Sequence, residues 1–186
     1  GCMNMDENTK DTLGQLIAQL EGQKLPRWSE LPDFELYMDQ LIALMERYFR
    51  GYPLVDPKGL TSSMVNNYVK LGYMPAPVKR KYSRIHLAYL IIICTLKPVL
   101  PMNSIKLIME AELESQGSYE ELYDRFCGYF EKTVAATSGD AYAHYAENSD
   151  VVTAIFRSAL RAQAEQAVAA KILESVPVPE KDKKHK

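Results

Sequence analysis

The chain has 186 residues, of which 47% are hydrophobic and 25% charged, values that exclude a disordered or fibrous protein and are ordinary for a packed globular one. Its three cysteines are odd in number and widely spaced, so they predict no disulfide framework and favour a reducing, cytoplasmic location. The longest apolar run, Leu87 to Leu96, is too short to cross a bilayer, and the N-terminus lacks the features of a secretory signal. We therefore expect no membrane association.

The net charge of −2 conceals a strong polarisation of charge along the chain. Between Asp56 and Glu110 there is no acidic residue, and eight cations lie in this acid-free segment: Lys58, Lys70, Lys79, Arg80, Lys81, Arg84, Lys97 and Lys106. The rest of the chain holds 14 basic and 24 acidic residues. A basic segment in an otherwise acidic chain is the electrostatic footprint of a nucleic-acid-binding surface.

Apolar spacing predicts an all-α helical bundle with little or no β-strand. A first short helix ends at Gly22 and carries four apolar residues at helical spacing: Leu13, Leu16, Ile17 and Leu20. A second helix opens between Ser29 and Pro32, with one apolar face: Phe34, Tyr37, Met38, Leu41, Leu44, Met45, Tyr48 and Phe49. Glycines and prolines then predict a loop over 51–60.

Capping residues mark the helices in the middle of the chain. Thr61 is the expected N-cap of a helix through Leu71, which Gly72 closes. Ser83 caps the next helix, whose apolar run covers 85–96, and a further helix starts near residue 103 and continues to about residue 113.

Two long helices are predicted in the C-terminal part. Ser118 and Glu121 form a capping box that opens a helix with a broad aromatic face, and Gly139 ends that helix. The last helix runs from about Asp150 to Glu174 and becomes rich in alanine. We therefore expect an N-terminal helix and linker at 1–30, a head at 31–114, a helical regulatory or dimerisation region at 115–175, and a disordered tail at 176–186.

The helix expected at about 61–71 has an outer face suited to reading DNA. Met64, Val65 and Tyr68 can face inward. The remaining side chains are polar, compact and free of acid: Thr61, Ser62, Ser63, Asn66, Asn67 and Lys70. Asn can form two hydrogen bonds with adenine in the major groove, and Ser can contact bases or phosphates. This helix is therefore the candidate recognition helix.

A basic loop follows at 78–82, after prolines that stiffen the chain. Its cations Lys79, Arg80 and Lys81, with Tyr82 and Arg84 beside them, can lie along DNA phosphates. A lone run of cations would favour an ordinary solvated loop. The neighbouring polar helix and the absence of carboxylates favour phosphate contact instead.

The order of these parts resembles the winged-helix head of MerR-type regulators. In that family a recognition helix ending in Tyr and Gly is followed by a proline, a basic wing ending in Tyr, and a Ser-capped helix. Residues 61–74, 75–82 and 83–97 follow the same order. The segment resembles more closely the uncharacterised bacterial DUF1836 family, around Met-Val-Asn-Asn-Tyr-Val-Lys at 64–70 and Lys-Arg-Lys-Tyr-Ser at 79–83, and this resemblance covers most of 31–109.

The MerR-type resemblance implies roles for five residues: Tyr68 and Gly72 as structural positions at the helix end, Lys70 on the recognition helix, and Lys81 and Tyr82 at the phosphate-contacting end of the wing. The chain departs from that family in three respects. Asn66 stands where an arginine is usual, the wing is shorter, and the loop at 51–60 is longer. The helix that partners the recognition helix is expected within 34–49.

Sequence patterns for catalysis, nucleotide binding or zinc ligation are missing, so we expect no enzymatic activity, no metal and no cofactor. His86 is on a helix near the basic wing and could meet a phosphate, but an ordinary surface or core histidine is the favoured interpretation. The acid, imidazole and phenol groups of Asp140 to Glu147 match no established metal site. The aromatic face at 119–130 is typical of a helical core, and the alternative is a pocket for a small-molecule effector.

The leading hypothesis is a transcriptional regulator that binds double-stranded DNA and dimerises through its C-terminal helices. An intramolecular bundle is the alternative use of the apolar residues in the last helix. The runner-up function is a non-catalytic protein-interaction module whose basic face docks onto an acidic partner. An enzyme acting on a small anion would need a concave pocket beside the basic segment.

Overall fold

The computed structural model describes residues 3–52, 59–147 and 150–178. In these residues the chain forms a 3-10 helix at Trp28–Glu30 and seven α-helices: α1 (Glu7–Glu21), α2 (Met38–Phe49), α3 (Ser62–Lys70), α4 (Arg84–Leu96), α5 (Met102–Gln116), α6 (Tyr119–Glu147) and α7 (Val151–Leu173). Extended pairing in the same residues is limited to three isolated bridges: Asn4 with Asp150, Leu36 with Tyr82, and Val78 with Lys81. The predicted all-α class is confirmed.

The described residues divide into two compact units. The terminal unit comprises the residues up to Lys24 together with Gly128–Glu174, and the head unit comprises Leu25–Cys127 with the described residues from Ser175 onward. The head unit extends beyond the predicted limits of 31 and 114 on both sides. Hydrogen bonds join its ends, among them one from Trp28 N–H to Asp124 Oδ1 over 2.7 Å and one from the Tyr123 hydroxyl to the Pro26 carbonyl over 2.6 Å.

Helix α4 is the centre of the head unit. All of its residues from His86 to Ile93 are buried, because the helix is apolar on every side. Helix α2 packs against α3 and α4, and α4 packs against α5. The largest fully buried side chains in these four helices are Leu41, Met45, Val65, Leu87, Leu90, Ile91, Ile93 and Ile105. The helix that packs against the candidate recognition helix is therefore α2.

Helix α2 begins later than its apolar pattern predicted. Leu36 and Tyr82 exchange two backbone hydrogen bonds, each 2.8 Å long, so the chain before Met38 is extended. Phe34 and Tyr37 lie outside the helix and are 63% and 55% exposed. Their predicted place on a buried helical face was wrong, because backbone pairing with a distant segment overrides the local helical period.

Helix α6 continues to Glu147 and does not end at Gly139 as predicted. A Cβ built on Gly139 would lie 3.3 Å from Glu21 Oε1, which is closer than an ordinary contact. The glycine thus leaves room for the end of the Glu21 side chain and is not a helix terminator. The predicted opening of α6 is present, since Glu121 N–H donates to Ser118 Oγ over 3.3 Å.

The other predicted helices agree with the structure, including the last, which begins after Asp150 as N-cap. Residues 53–58 of the predicted loop and 179–186 of the predicted tail lie outside the described residues. Among the helices of the described residues, none has an apolar stretch long enough for a membrane span.

Candidate nucleic-acid interface

Helix α3 presents the polar face expected from the sequence. Its N-cap Thr61 accepts a hydrogen bond from Met64 N–H through Oγ1 over 3.2 Å. Val65 and Tyr68 are buried and attach the helix to the core. The side chains of the outer face are all exposed: Thr61, Ser62, Ser63, Asn66, Asn67 and Lys70. This face offers hydroxyl, amide and ammonium groups and no carboxylate, so it can form hydrogen bonds with an anionic partner without repelling it.

The C-terminal end of α3 is a Schellman motif. Gly72 N–H donates to the Val69 carbonyl over 3.1 Å, and Tyr73 N–H donates to the Tyr68 carbonyl over 2.8 Å. Gly72 has a φ of +73°, a conformation that strains any residue with a Cβ. The Tyr68 ring is buried, and its hydroxyl accepts a hydrogen bond from Lys97 Nζ over 3.3 Å. Tyr68 therefore faces the fold, whereas Gly72 is exposed and defines where the helix ends through its backbone conformation.

The wing, residues 78–82, contains a two-residue hairpin turn. Val78 N–H donates to the Lys81 carbonyl over 3.1 Å, and Lys81 N–H donates to the Val78 carbonyl over 2.9 Å. Lys79 and Arg80 at the tip have φ values of +50° and +64°, the pattern of a type I′ turn. Asn and Gly are the usual residues of such a turn, so two long cations there store backbone strain. Both tip residues are exposed.

The third cation of the wing, Lys81, has partners on the neighbouring extended segment before α2. Its Nζ lies 3.4 Å from Glu35 Oε2 and 5.8 Å from the centre of the Tyr37 ring. Both partners flank Leu36, whose backbone pairs with Tyr82, so they stand on the same face as Lys81. Glu35 is not among the site residues predicted from the sequence, because it lies far from Lys81 along the chain. Only the alternation of polar and apolar residues at 35–37 could have indicated an extended segment there.

Tyr82 and Arg84, which were predicted to contact phosphates, instead pack against the fold beside the wing. Tyr82 is only 4% exposed. The Arg84 guanidinium donates to the Leu31 carbonyl over 3.2 Å and to the Pro32 carbonyl over 3.4 Å, and it lies 5.5 Å from the centre of the Trp28 ring. The structure thus places Tyr82 and Arg84 at the base of the wing and not on its outer surface.

His86 links the segment before the wing to the start of α4. Its Nδ1 accepts a hydrogen bond from Ser83 N–H over 2.9 Å, and its Nε2 lies 3.2 Å from the Ala76 carbonyl. A carbonyl only accepts, so Nε2 carries the proton and the ring is neutral. Burial lowers the pKa of His86 and favours this neutral form. The ring also meets Tyr82 edge-on, with 5.2 Å between the ring centres.

The other cations of the acid-free segment differ in their partners. Lys97 bonds to Tyr68, and Lys106 Nζ lies 3.7 Å from Glu110 Oε1, while Lys58 lies outside the described residues. Within 59–109, three cations have neither an ion pair nor a hydrogen bond to any described residue: Lys70, Lys79 and Arg80. These three belong to α3 and to the tip of the wing, the two elements predicted to contact nucleic acid.

The cluster at 140–147 has an internal role in the terminal unit. The Asp140 carboxylate accepts hydrogen bonds from Arg161 and, over 3.3 Å, from Arg157, and these contacts lower the pKa of Asp140. The Tyr145 hydroxyl is hydrogen-bonded to Ser158. These contacts join α6 to α7. In the part of the chain that the structure describes, no three His, Cys, Asp or Glu side chains are grouped as metal ligands would be.

The fold and this surface define a helical head that carries an exposed polar helix and a basic hairpin. A family model, Domain of unknown function (DUF1836), matches residues 26–126. The match covers more than half of the chain, so the chain belongs to the DUF1836 family. The matched residues coincide within one residue at each end with Leu25–Cys127 of the head unit. No curated protein and no solved structure matches the chain.

Proposed function

We propose that the head unit binds double-stranded DNA as part of a transcriptional regulator, with α3 in the major groove and the wing tip on phosphates. The observation that carries this proposal is the position of the unpartnered cations. In the described part of a segment without acid, Lys70, Lys79 and Arg80 are the cations that no other described residue engages, and all three are on exposed elements. A cation left in water by the fold remains available to a phosphate.

The wing tip and α3 have different roles in this proposal. The wing tip supplies affinity, because phosphates carry charge without sequence information. The exposed amides of Asn66 and Asn67 supply sequence choice, because an amide can donate to and accept from one adenine edge. The MerR-like arrangement implied by resemblance has the same division, with the wing on the DNA backbone and the helix in the groove.

A salt-titrated binding assay on short duplexes tests the contribution of the wing. Lys79→Ala/Arg80→Ala should weaken binding to every duplex and make the plot of log affinity against log salt shallower by about 0.9 per lost phosphate contact. The matched control is Lys24→Ala/Lys132→Ala, which removes the same charge from exposed positions outside the acid-free segment. Equal losses in both variants would mean that only net charge matters and would remove the wing from the interface.

The contribution of α3 is tested on a duplex selected from random sequence. Asn66→Ala or Asn67→Ala should cost about 1–3 kcal/mol of binding free energy on the selected site and little on a scrambled one. Failure of the wild-type chain to bind any duplex at low salt would overturn the proposal. Tighter binding to a polyglutamate chain than to DNA, through the same tip cations, would favour the acidic-partner alternative.

A further inference from the structure

Three lysines from three different helices surround the C-terminal end of α3. Lys70 is the last residue of α3 and is exposed. Lys97, the C-cap of α4, is also exposed, and its Nζ donates to the Tyr68 hydroxyl over 3.3 Å. Lys106 of α5 has its Nζ 4.0 Å from the position that a Cβ on Gly72 would occupy. These three lysines are called here the α3-end cluster.

The surroundings of the α3-end cluster do not balance its charge. The Tyr68 hydroxyl is neutral, so it orients the Lys97 ammonium without neutralising it. Lys106 pairs with Glu110 over 3.7 Å, but both side chains are partly exposed and an ion pair of this kind is weak. The free carbonyls at the end of α3 add about half a negative charge. Against three ammonium groups, these contributions leave a positive excess among the described residues.

We infer that the α3-end cluster is a second phosphate-contacting surface, in which the Tyr68 hydroxyl positions Lys97. This role rests on the proposed DNA binding through α3, to which it adds contacts by Lys97 and Lys106. The nine residues of α3 span about 13.5 Å, close to the roughly 12 Å width of a major groove. A helix of this length that lies across the groove ends beside the phosphates that border it. Lysines around that end therefore reach the DNA backbone, while the outer face of α3 reaches the bases.

A salt-titrated binding assay on short duplexes tests the added contacts. Lys97→Ala/Lys106→Ala should make the plot of log affinity against log salt shallower by about 0.9 for each lost phosphate contact. This slope corresponds to a loss of roughly 8-fold in affinity per contact at about 0.1 M salt, relative to about 1 M salt, where the attraction is screened. Lys97→Arg/Lys106→Arg keeps both charges and should keep the wild-type slope. The matched control Lys24→Ala/Lys132→Ala removes two exposed charges elsewhere and should change the slope much less.

A double-mutant cycle tests the positioning role of Tyr68. Tyr68→Phe removes the hydroxyl and keeps the buried ring, so α3 stays attached to the core. This substitution should weaken DNA binding about 2- to 5-fold in the wild-type chain, the effect of one lost hydrogen bond. It should have no further effect in the Lys97→Ala chain, because the group that the hydroxyl positions is already absent. An equal loss in both chains would refute the positioning role.

Urea denaturation separates contact with DNA from support of the fold. If the lysines only stabilise the carbonyl end of α3, Lys97→Ala/Lys106→Ala lowers the free energy of unfolding and leaves the salt slope of the folded chain unchanged, which refutes the phosphate contact. A change in slope no larger than that of the matched control refutes it as well. In both cases, wild-type binding that weakens in Lys79→Ala/Arg80→Ala leaves the proposed function intact. A wild-type chain that binds no duplex at low salt overturns the proposed function and the role of the α3-end cluster together.

Discussion

The strained tip of the wing allows stability and DNA binding to be changed in opposite directions. Lys79 and Arg80 occupy positive φ values of +50° and +64°. A residue with a Cβ loses roughly 1–2 kcal/mol in that region, whereas Asn tolerates it and Gly accepts it freely. Glycine adds roughly 0.5–1 kcal/mol of backbone entropy to the unfolded chain, which offsets part of the gain. Lys79→Asn/Arg80→Gly should therefore raise the free energy of unfolding by about 1–2 kcal/mol.

Urea denaturation and thermal melting measure the gain in stability. For a chain of this size, each kcal/mol corresponds to about 2–4 °C in Tm, so the variant should melt a few degrees higher. DNA affinity should fall at the same time, because the variant has lost the two tip charges, with a shallower salt dependence by up to about 1.8. A mutation that merely damaged the fold would lower both quantities.

The matched control is Lys79→Ala/Arg80→Ala, which removes the same charges but keeps a Cβ at both strained positions. It should lose as much DNA affinity as the Asn-Gly variant without gaining its stability. If the two variants have equal stability, the tip is not strained and the type I′ assignment fails. If the Asn-Gly variant keeps wild-type affinity and salt dependence, the tip cations do not contact phosphates.

Three further outcomes are expected. Gly72→Ala and Gly117→Ala should each cost about 1–2 kcal/mol of unfolding free energy, because both glycines have φ near +73°. Steric overlap adds little to this cost, since the nearest atom to a new Cβ is Lys106 Nζ, 4.0 Å from position 72. If Gly72→Ala leaves the urea midpoint unchanged, the Schellman cap is contradicted. Burial makes the pKa of His86 lower in the fold than its ordinary 6.5, so the unfolded chain binds the proton more readily. The free energy of unfolding contributed by neutral His86 should therefore be complete above pH 6.5 and decline as the pH falls below that value. His86→Gln should flatten the pH dependence of the urea midpoint, and an unchanged pH profile would contradict the buried neutral ring. Glu35→Gln frees the Lys81 charge and should tighten DNA binding a few-fold at low salt, an effect that vanishes if Lys81 faces away from the duplex.

Much of the candidate interface could be predicted from the sequence because its determinants are local. A cap such as Thr61 acts within one turn of its own helix, and Gly72 is required by the backbone conformation of a single residue. The outer face of α3 follows from helical periodicity alone, since the buried positions Val65 and Tyr68 leave the polar residues outside. The absence of acid from 57–109 is a property of composition and needs no structure.

Tertiary structure decided which cations of the acid-free segment have partners among the described residues. Lys81 is matched by Glu35, and Arg84 is held by the carbonyls of Leu31 and Pro32, partners that lie far away along the chain. Such contacts depend on which distant segments the folded backbone brings together, and no local sequence pattern encodes that. Tyr82 is buried for the same reason, because its backbone pairs with the distant segment before α2. Sequence could not show that large apolar side chains of α7, such as Phe156 and Leu160, remain exposed, because amphipathic spacing is the same whether or not another helix of the chain packs against them.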